Sequence, residues 1–530
     1  MSIGFFVGKN LTSDGSTLLG GFGHEPSSHW IDIVPAQQHP RGSTIQVGVT
    51  ENADLPGELI DIPQVPYTNK YISSTYSEFA GFPPPLTNGG LNEHGVAGRD
   101  IWSPSRSELV EMTPEPQRGL NYSDLARIAM ERAATAREAV EITGELINTY
   151  GFATYGGNSH LFADKDEGWV MIEYAGGQGL WAAERLGPDD VRVSYPGYIH
   201  HFPVDFQNND NYMGSDNIIE FAREQGWWNP DTDHPDYMNL QDVYGEPFPG
   251  EGVDKADDHF TAVRVPPERE EELKAMAPVS LEDMLALVRD PRWSNDRSGY
   301  GQVAHLRPHV PNSLQTLWLA VTGAVTTPYV PIPIAADPCA VPPEFVQHRY
   351  MTKYADSEFL SSNYAPQEAT RYATREFKRL MYFTSEHPVY FLPYVTGMME
   401  CFEQMLIAER RAIEEAFLSL MQSGQQDAAI QLISANVHQR LFESLCLGMQ
   451  LTNTVEMETR RLFGIRMPED NKKPGETTPP WSQEMIAETI DEMVTCYDPR
   501  LDIYPRPHGY YNQYAVCGYY PSMHTGQMFS

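Results

Sequence analysis

The order of elements along the chain predicts an α+β fold, with a strand-rich N-terminal part and a C-terminal helical extension. Three observations carry this. A hairpin is legible within the first twenty residues, strand-like runs recur to about residue 334, and beyond about residue 365 long stretches of helical period take over. Strands segregated from helices point to stacked layers rather than to a regular βαβ alternation.

Residues 2–9 read as a buried strand, Asp14-Gly15 as its turn, and Thr17 to Gly20 as the returning strand. Residues 43–49 form a further strand run, and Asn88-Gly89-Gly90 is a turn ahead of Asn92 to Val96. Between 122 and 149, Leu125, Ile128, Ala129, Ala136, Val140, Ile142 and Leu146 recur at near-helical spacing, which predicts one helix capped by Ser123 and closed by Tyr150-Gly151. Strands follow at 159–163 and 168–173. Residues 205–260 are polar and aromatic and read as surface loops with short helices. Ser280 to Arg289 carries a capping pattern for another helix. Strands resume at 300–334, and helices are expected at 366–384, 390–422 and 425–464. A Pro-containing linker at 468–480, a helix at 482–496 and a Tyr-, Pro- and Gly-rich tail complete the chain. The expected domains are 2–365, 366–465 and 466–530.

Charge narrows the function classes. The 37 Lys and Arg against 72 Asp and Glu give a net charge of −35, which argues against nucleic-acid binding and against anionic membrane surfaces. The five cysteines are too few and scattered for a disulfide framework, and no C-x-x-C pair suggests zinc. His200-His201 has no carboxylate pattern around it, so no metal or organic cofactor is expected. No run reaches a membrane span's length, and no basic region with an apolar run opens the chain, so a cytoplasmic location is expected. No Gly-rich phosphate loop joins a strand to a helix, so nucleotide chemistry has no support.

Ser2 follows the initiator methionine. Removing Met1 would leave a residue carrying both a hydroxyl and a free α-amine, whose ordinary pKa near 8 suits it as a general base for its own hydroxyl. The strand directly after it would hold this terminus in place.

Several ordered motifs then carry a resemblance. Val7-Gly8-Lys9 and Asp14-Gly15-Ser16, Asn92-Glu93-His94-Gly95-Val96, Glu131-Arg132-Ala133 with Thr135 to Ala139, Trp169-Val170, Glu173 and Leu180 to Arg185 stand in the order found in the secernin and bacterial dipeptidase family. The chain resembles that family of N-terminal-nucleophile (Ntn) hydrolases over about residues 2–400. The resemblance implies an αββα sandwich, dipeptide hydrolysis, and Ser2 at the position of the family's nucleophilic Cys. It departs from the family after the first turn, where a basic residue is usual and the chain reads Gly20-Gly21-Phe22-Gly23-His24-Glu25.

The candidate site residues are therefore Ser2 as nucleophile with Asn158 and Asp100 as catalytic partners, and His24, Arg99 and Arg307 as substrate contacts. Each has a plain structural alternative. His24 could be a surface-loop residue, Arg99 and Asp100 a buried or rim ion pair, Asn158 a turn cap, and Arg307 a structural partner. Asn158 could otherwise donate to an oxyanion, and Arg307 could hold a carboxylate by a two-pronged fork. The expected substrate is a dipeptide or small amide. An acylase or esterase acting on a small, non-peptide substrate, or an inactive binding and scaffold protein, remain open alternatives. The long helices could pair between copies in a homo-oligomer or cover their own sheet.

Overall fold

The computed structural model describes residues 2–23, 29–76, 81–194, 196–245, 268–291, 294, 298–346 and 373–464. His24, the 468–480 linker, the 482–496 helix and the tail lie outside these residues. In chain order, the strands that build the two large sheets include β1 (Ile3–Val7), β2 (Thr17–Gly23), β3 (Tyr71–Tyr76), β4 (Gly89–Asn92), β5 (Ala97–Ile101), β6 (Asn158–Ala163), β7 (Gly168–Glu173), β8 (Trp181–Leu186), β9 (Val191–Ser194), β10 (Tyr212–Gly214), β11 (Tyr300–Leu306), β12 (Thr316–Ala320) and β13 (Val330–Pro333). The helices used below are α1 (Tyr122–Arg132), α2 (Ala136–Tyr150), α3 (Leu281–Arg289), α4 (Ala373–Glu386), α5 (Pro388–Gln422) and α6 (Gln426–Phe463). The chain is α+β, as expected, and divides into two compact units.

The first unit holds Met1–Gly23, Asp32–Leu281 and Val303–Leu317. Its first sheet runs β9–β1–β2–β11–β12 and its second β10–β8–β7–β6–β5–β4–β3. The opening hairpin forms because Asp14 accepts from the Ser16 amide at 3.1 Å and Ser16 Oγ at 2.5 Å, with Gly15 at φ 74° completing the turn. That turn sets the register from Val7↔Leu18 to Ile3↔Phe22.

The single helix expected over 122–149 is two helices. α1 ends at Arg132 and α2 begins at Ala136, where Thr135 caps it by accepting from the Glu138 amide at 3.0 Å. The break is enforced from a distance. The Asn92 amide donates to the carbonyls of Met130 (3.1 Å) and Ala133 (2.7 Å), and Asn69 donates to Ala133 at 3.2 Å, which satisfies helix-end acceptors without a further turn. The N-cap is also corrected. Asn121 and Asp124 form a capping box, while Ser123 Oγ instead accepts from the Thr87 amide at 2.8 Å.

α1 and α2 lie on one face of the second sheet. Leu125, Ile128, Met130, Val140 and Ile147 share a core with Phe162, Trp169, Met171 and Trp181. Gly144 makes the close approach possible, since a Cβ there would stand 2.4 Å from the Trp181 ring. On the sheet's other face lies β1. A Cβ on Gly4 would stand 2.5 Å from Leu161 Cδ1 and 2.8 Å from Ile101 Cδ1, and one on Gly168 would stand 2.4 Å from the Phe6 ring. The first unit is therefore layered helix, sheet, sheet, with two sheets face to face.

The second unit holds His24–Ile31, Glu282–Gln302 and Trp318–Ser530, and its described part is dominated by α4, α5 and α6. α5 starts two residues earlier than expected because Pro388 takes the first helical position. α5 and α6 are tied by Arg440, whose Nε and Nη2 donate to Glu409 at 2.6 and 2.7 Å. Gly448 lets α6 approach α4, where a Cβ would stand 2.6 Å from the Phe377 ring. Arg289 of α3 is buried against Glu400 and Glu403 of α5. Among the described residues no helix is long and apolar enough to cross a membrane.

Candidate active site

Ser2 stands one residue before β1 and is only 6% exposed. Side chains alternate along a strand, and Gly4 and Phe6 both face the second sheet, so Ser2 faces it too. Going from Phe6 to Gly4 moves along the second sheet from Gly168 to Leu161 and Ile101. One further step in this direction brings Ser2 toward the end where β6 begins at Asn158.

The face around Ser2 carries few side chains. Gly21 pairs with Gly4, and continuing the register sets Gly23 opposite Ser2. Into this bare space comes Arg99, fully buried, from β5 of the second sheet. A Cβ on Gly21 would lie 2.2 Å from the Ile3 carbonyl oxygen and 3.2 Å from Arg99 Nε. Arg99 Nη2 donates to the Phe22 carbonyl, and Nη1 donates to Asp100 Oδ1 at 2.7 Å.

Asp100 pairs in register with His160, and Asn158 with Glu173. His160 Nδ1 meets Glu173 Oε1 at 2.8 Å, and its Nε2 lies 3.1 Å from the Tyr122 carbonyl at the start of α1. Burial raises the carboxyls of Asp100 and Glu173 above their ordinary range, against the pull of Arg99 and His160 on Asp100 and of His160 on Glu173. Burial alone would lower His160, but Glu173 and Asp100 outweigh it and raise the imidazole. The sheet thus carries a buried chain of charges, Arg99–Asp100–His160–Glu173, beside the end at which Ser2 enters. His160 was not singled out from the sequence. The available signal was a polar alternation, Asn158 and His160, inside an otherwise apolar strand.

The fully buried Asn158 has its Nδ2 on the Ser159 carbonyl at 3.2 Å and its Oδ1 3.4 Å from the Tyr155 hydroxyl. Arg307 stands apart from this group. Nearby His305 meets Asp14 at 2.8 Å, which places that stretch at the turn end of the hairpin, whereas Ser2 is at the other end of β1. Arg307 itself donates from Nη2 to the Leu314 carbonyl and from its amide to Gln315 Oε1, both at 2.7 Å. The structure therefore brings Arg99 to the face that Ser2 shares, sets Asp100 and Asn158 at the same end of the sheet but in phase with His160 and Phe162 on its helix-covered face, and leaves Arg307 at the other end. Trp181 is core, with its Nε1 on Asn148. Among the described residues no three His, Cys, Asp or Glu side chains converge as a metal site would need.

Comparisons with known proteins agree with the motif reading. Residues 3–266 match the model of peptidase family C69. A probable dipeptidase B from Lactococcus lactis subsp. lactis is 30% identical over 245 residues, covering 45% of this chain and 48% of that protein. A probable dipeptidase from Latilactobacillus sakei is 27% identical over 227 residues, covering 41% and 43%. The match thus spans about half the length of these relatives or less. Among solved structures, a variant of conjugated bile acid hydrolase from Clostridium perfringens aligns over 63% of this chain and 92% of its own, at 11% identity. Its TM-score of 0.26 is too low to carry an argument. Through residues 3–266, the chain belongs to peptidase family C69.

Proposed function

We propose that the chain hydrolyses amide bonds, with dipeptides as the substrate class, using Ser2 as nucleophile after Met1 is removed. The observation that carries this is Ser2 itself: a buried residue at the head of a central strand, facing a second sheet across a face of the first on which its neighbours are glycines. The family match and the two dipeptidase relatives favour peptide bonds over other amides.

In this reading Ser2 Oγ attacks the substrate carbonyl carbon while the α-amine of Ser2 takes the hydroxyl proton. The carbon–nitrogen bond then breaks and the same proton passes to the leaving amine. Water attacks the resulting ester, giving up a proton to the α-amine, and its collapse releases the acid and restores Ser2. Asn158, or backbone N–H groups, would stabilise the oxyanion. Asp100, held by Arg99, would act on the amine only through that arginine.

The test has two parts. The intact mass of protein purified from its native host should be short by one methionine, without an acetyl group. A dipeptide panel should then be cleaved by the wild type, with Ser2→Ala reducing turnover by about a thousandfold or more. Retention of Met1, or full activity in Ser2→Ala, would eliminate Ser2 as nucleophile.

A further inference from the structure

A serine α-amine can act as a base only while it is unprotonated. With an ordinary pKa near 8, most of it would be charged at neutral pH. The mechanism above therefore needs something that disfavours the ammonium form. We propose that Arg99 does this, carrying a positive charge from the second sheet into the hollow that Gly4, Gly21 and Gly23 leave beside Ser2. The inference rests on the reading of Ser2 as nucleophile and base, and it assigns to Arg99 a positioning and charge-setting role rather than substrate binding.

The geometry is specific. The three glycines remove side chains from the face of β1 and β2 that Ser2 shares. At Gly21 a Cβ would contact both the Ile3 carbonyl oxygen (2.2 Å) and Arg99 Nε (3.2 Å), so the guanidinium fills the place where a β2 side chain would stand. Its bond to the Phe22 carbonyl anchors it to the strand that pairs with Ile3, the residue next to Ser2. Arg99 is also fully buried, so solvent screens its field little. A fixed cation near an amine lowers the amine's proton affinity.

Among the described residues, other charged groups of the two sheets include Asp100, His160 and Glu173 on the same sheet as Arg99, and Asp14 and His305 on the first. Asp100 is hydrogen-bonded to Arg99 at 2.7 Å and partly offsets its charge. His160 and Glu173 form a pair one and two strands further on. Asp14 and His305 pair with each other at the far end of the hairpin. Arg99 is the cation that approaches the strand next to Ser2 itself, which is why it sets the sign.

The experiment titrates the α-amine of Ser2 by competitive acylation across pH, read by mass spectrometry on the N-terminal peptide of full-length, methionine-processed protein. It needs no turnover. The wild-type amine should titrate below 8. Arg99→Met should raise its midpoint by about one unit, and Arg99→Lys should leave it within a few tenths. Asp100→Asn, which removes the offsetting charge, should lower it further. Should Arg99→Met fail to fold by circular dichroism, Arg99→Lys and Asp100→Asn still read the field. An unchanged midpoint in both Arg99→Met and Asp100→Asn would overturn the proposal, because burial alone would then account for the amine. Where a substrate is cleaved, the acid limb of kcat/KM should move with the amine. Failure of the nucleophile reading shows up separately, as activity surviving Ser2→Ala.

Discussion

Replacing Glu400 by glutamine should remove the pH dependence that one buried carboxyl imposes on stability. Glu400 lies on α5 with 9% exposure, facing Arg289 of α3 at 3.8 Å. The guanidinium is shared unequally. Glu403 takes the tighter contact with Arg289 and also accepts the Tyr329 amide at 2.7 Å, while Glu400 Oε2 has no hydrogen-bond partner among the described residues. Burial pushes the Glu400 carboxyl up from 4.5 to about 8, Arg289 opposes this, and the neighbouring Glu403 adds to it. The unfolded chain would ionise near 4.5, so between that value and 8 the native state holds one more proton. Stability then falls as pH rises, by about 1.4 kcal/mol per unit. Over the whole window the loss amounts to roughly 5 kcal/mol. The contribution is fully present below 4.5 and gone above 8. Glutamine resembles the protonated carboxyl and does not titrate. Urea unfolding of both proteins from pH 4.5 to 8.5 should give similar midpoints at the acid end and a variant more stable by a few kcal/mol at the alkaline end. Glu403 and Arg289 are present in both proteins, so the difference isolates Glu400. Parallel curves for the two proteins would refute the reasoning.

Two further predictions concern the layering that positions Ser2. Gly4→Ala puts a methyl group 2.5 Å from Leu161 Cδ1 between the sheets. It should cost about 1–3 kcal/mol in thermal unfolding, and a melting temperature unchanged from wild type would argue against the close sheet contact. Asn92→Ala removes the amide that holds the Met130 and Ala133 carbonyls and accepts from the His94 and Val96 amides, each at 3.0 Å. The expected loss is about 2–3 kcal/mol. Hydrogen exchange should quicken at the end of α1 and in the Asn92–Val96 turn, and unaltered exchange there would show that the break between the helices does not depend on Asn92.

Much of the site was legible because its signals are local. The hairpin announced itself through Asp14-Gly15 and apolar runs on both sides, and this alone placed Ser2 at the head of a strand. Arg99 and Asp100 were legible as adjacent charges in an apolar run and Asn158 as an amide ahead of a strand, although what they touch was not. The helix break at 133–135 was invisible because Ala133, Ala134 and Thr135 contain neither Pro nor Gly. Its cause is a pair of amides, Asn69 and Asn92, at distances in sequence of up to 64 residues from the carbonyls they hold. Arg307 was grouped with the site because a guanidinium can hold a carboxylate, and the contact of His305 with Asp14 shows which end of the sheet that stretch occupies.

The sequence by itself determined the class of fold, most of its elements, and the residue we propose as nucleophile and base together. These follow from side-chain spacing and from covalent position, which need no folded chain. Only the tertiary structure decided where charges meet. The absence of a basic residue after the first turn looked like a gap when read along β2. In the folded chain Arg99 reaches the same hollow from another sheet, 77 residues away from the Phe22 carbonyl it binds. Arg289 and Glu403 find each other over 114 residues in the same manner. Pairings of this kind are set by which faces stack and how closely glycine lets them approach, and neither quantity is written in the local pattern of a strand.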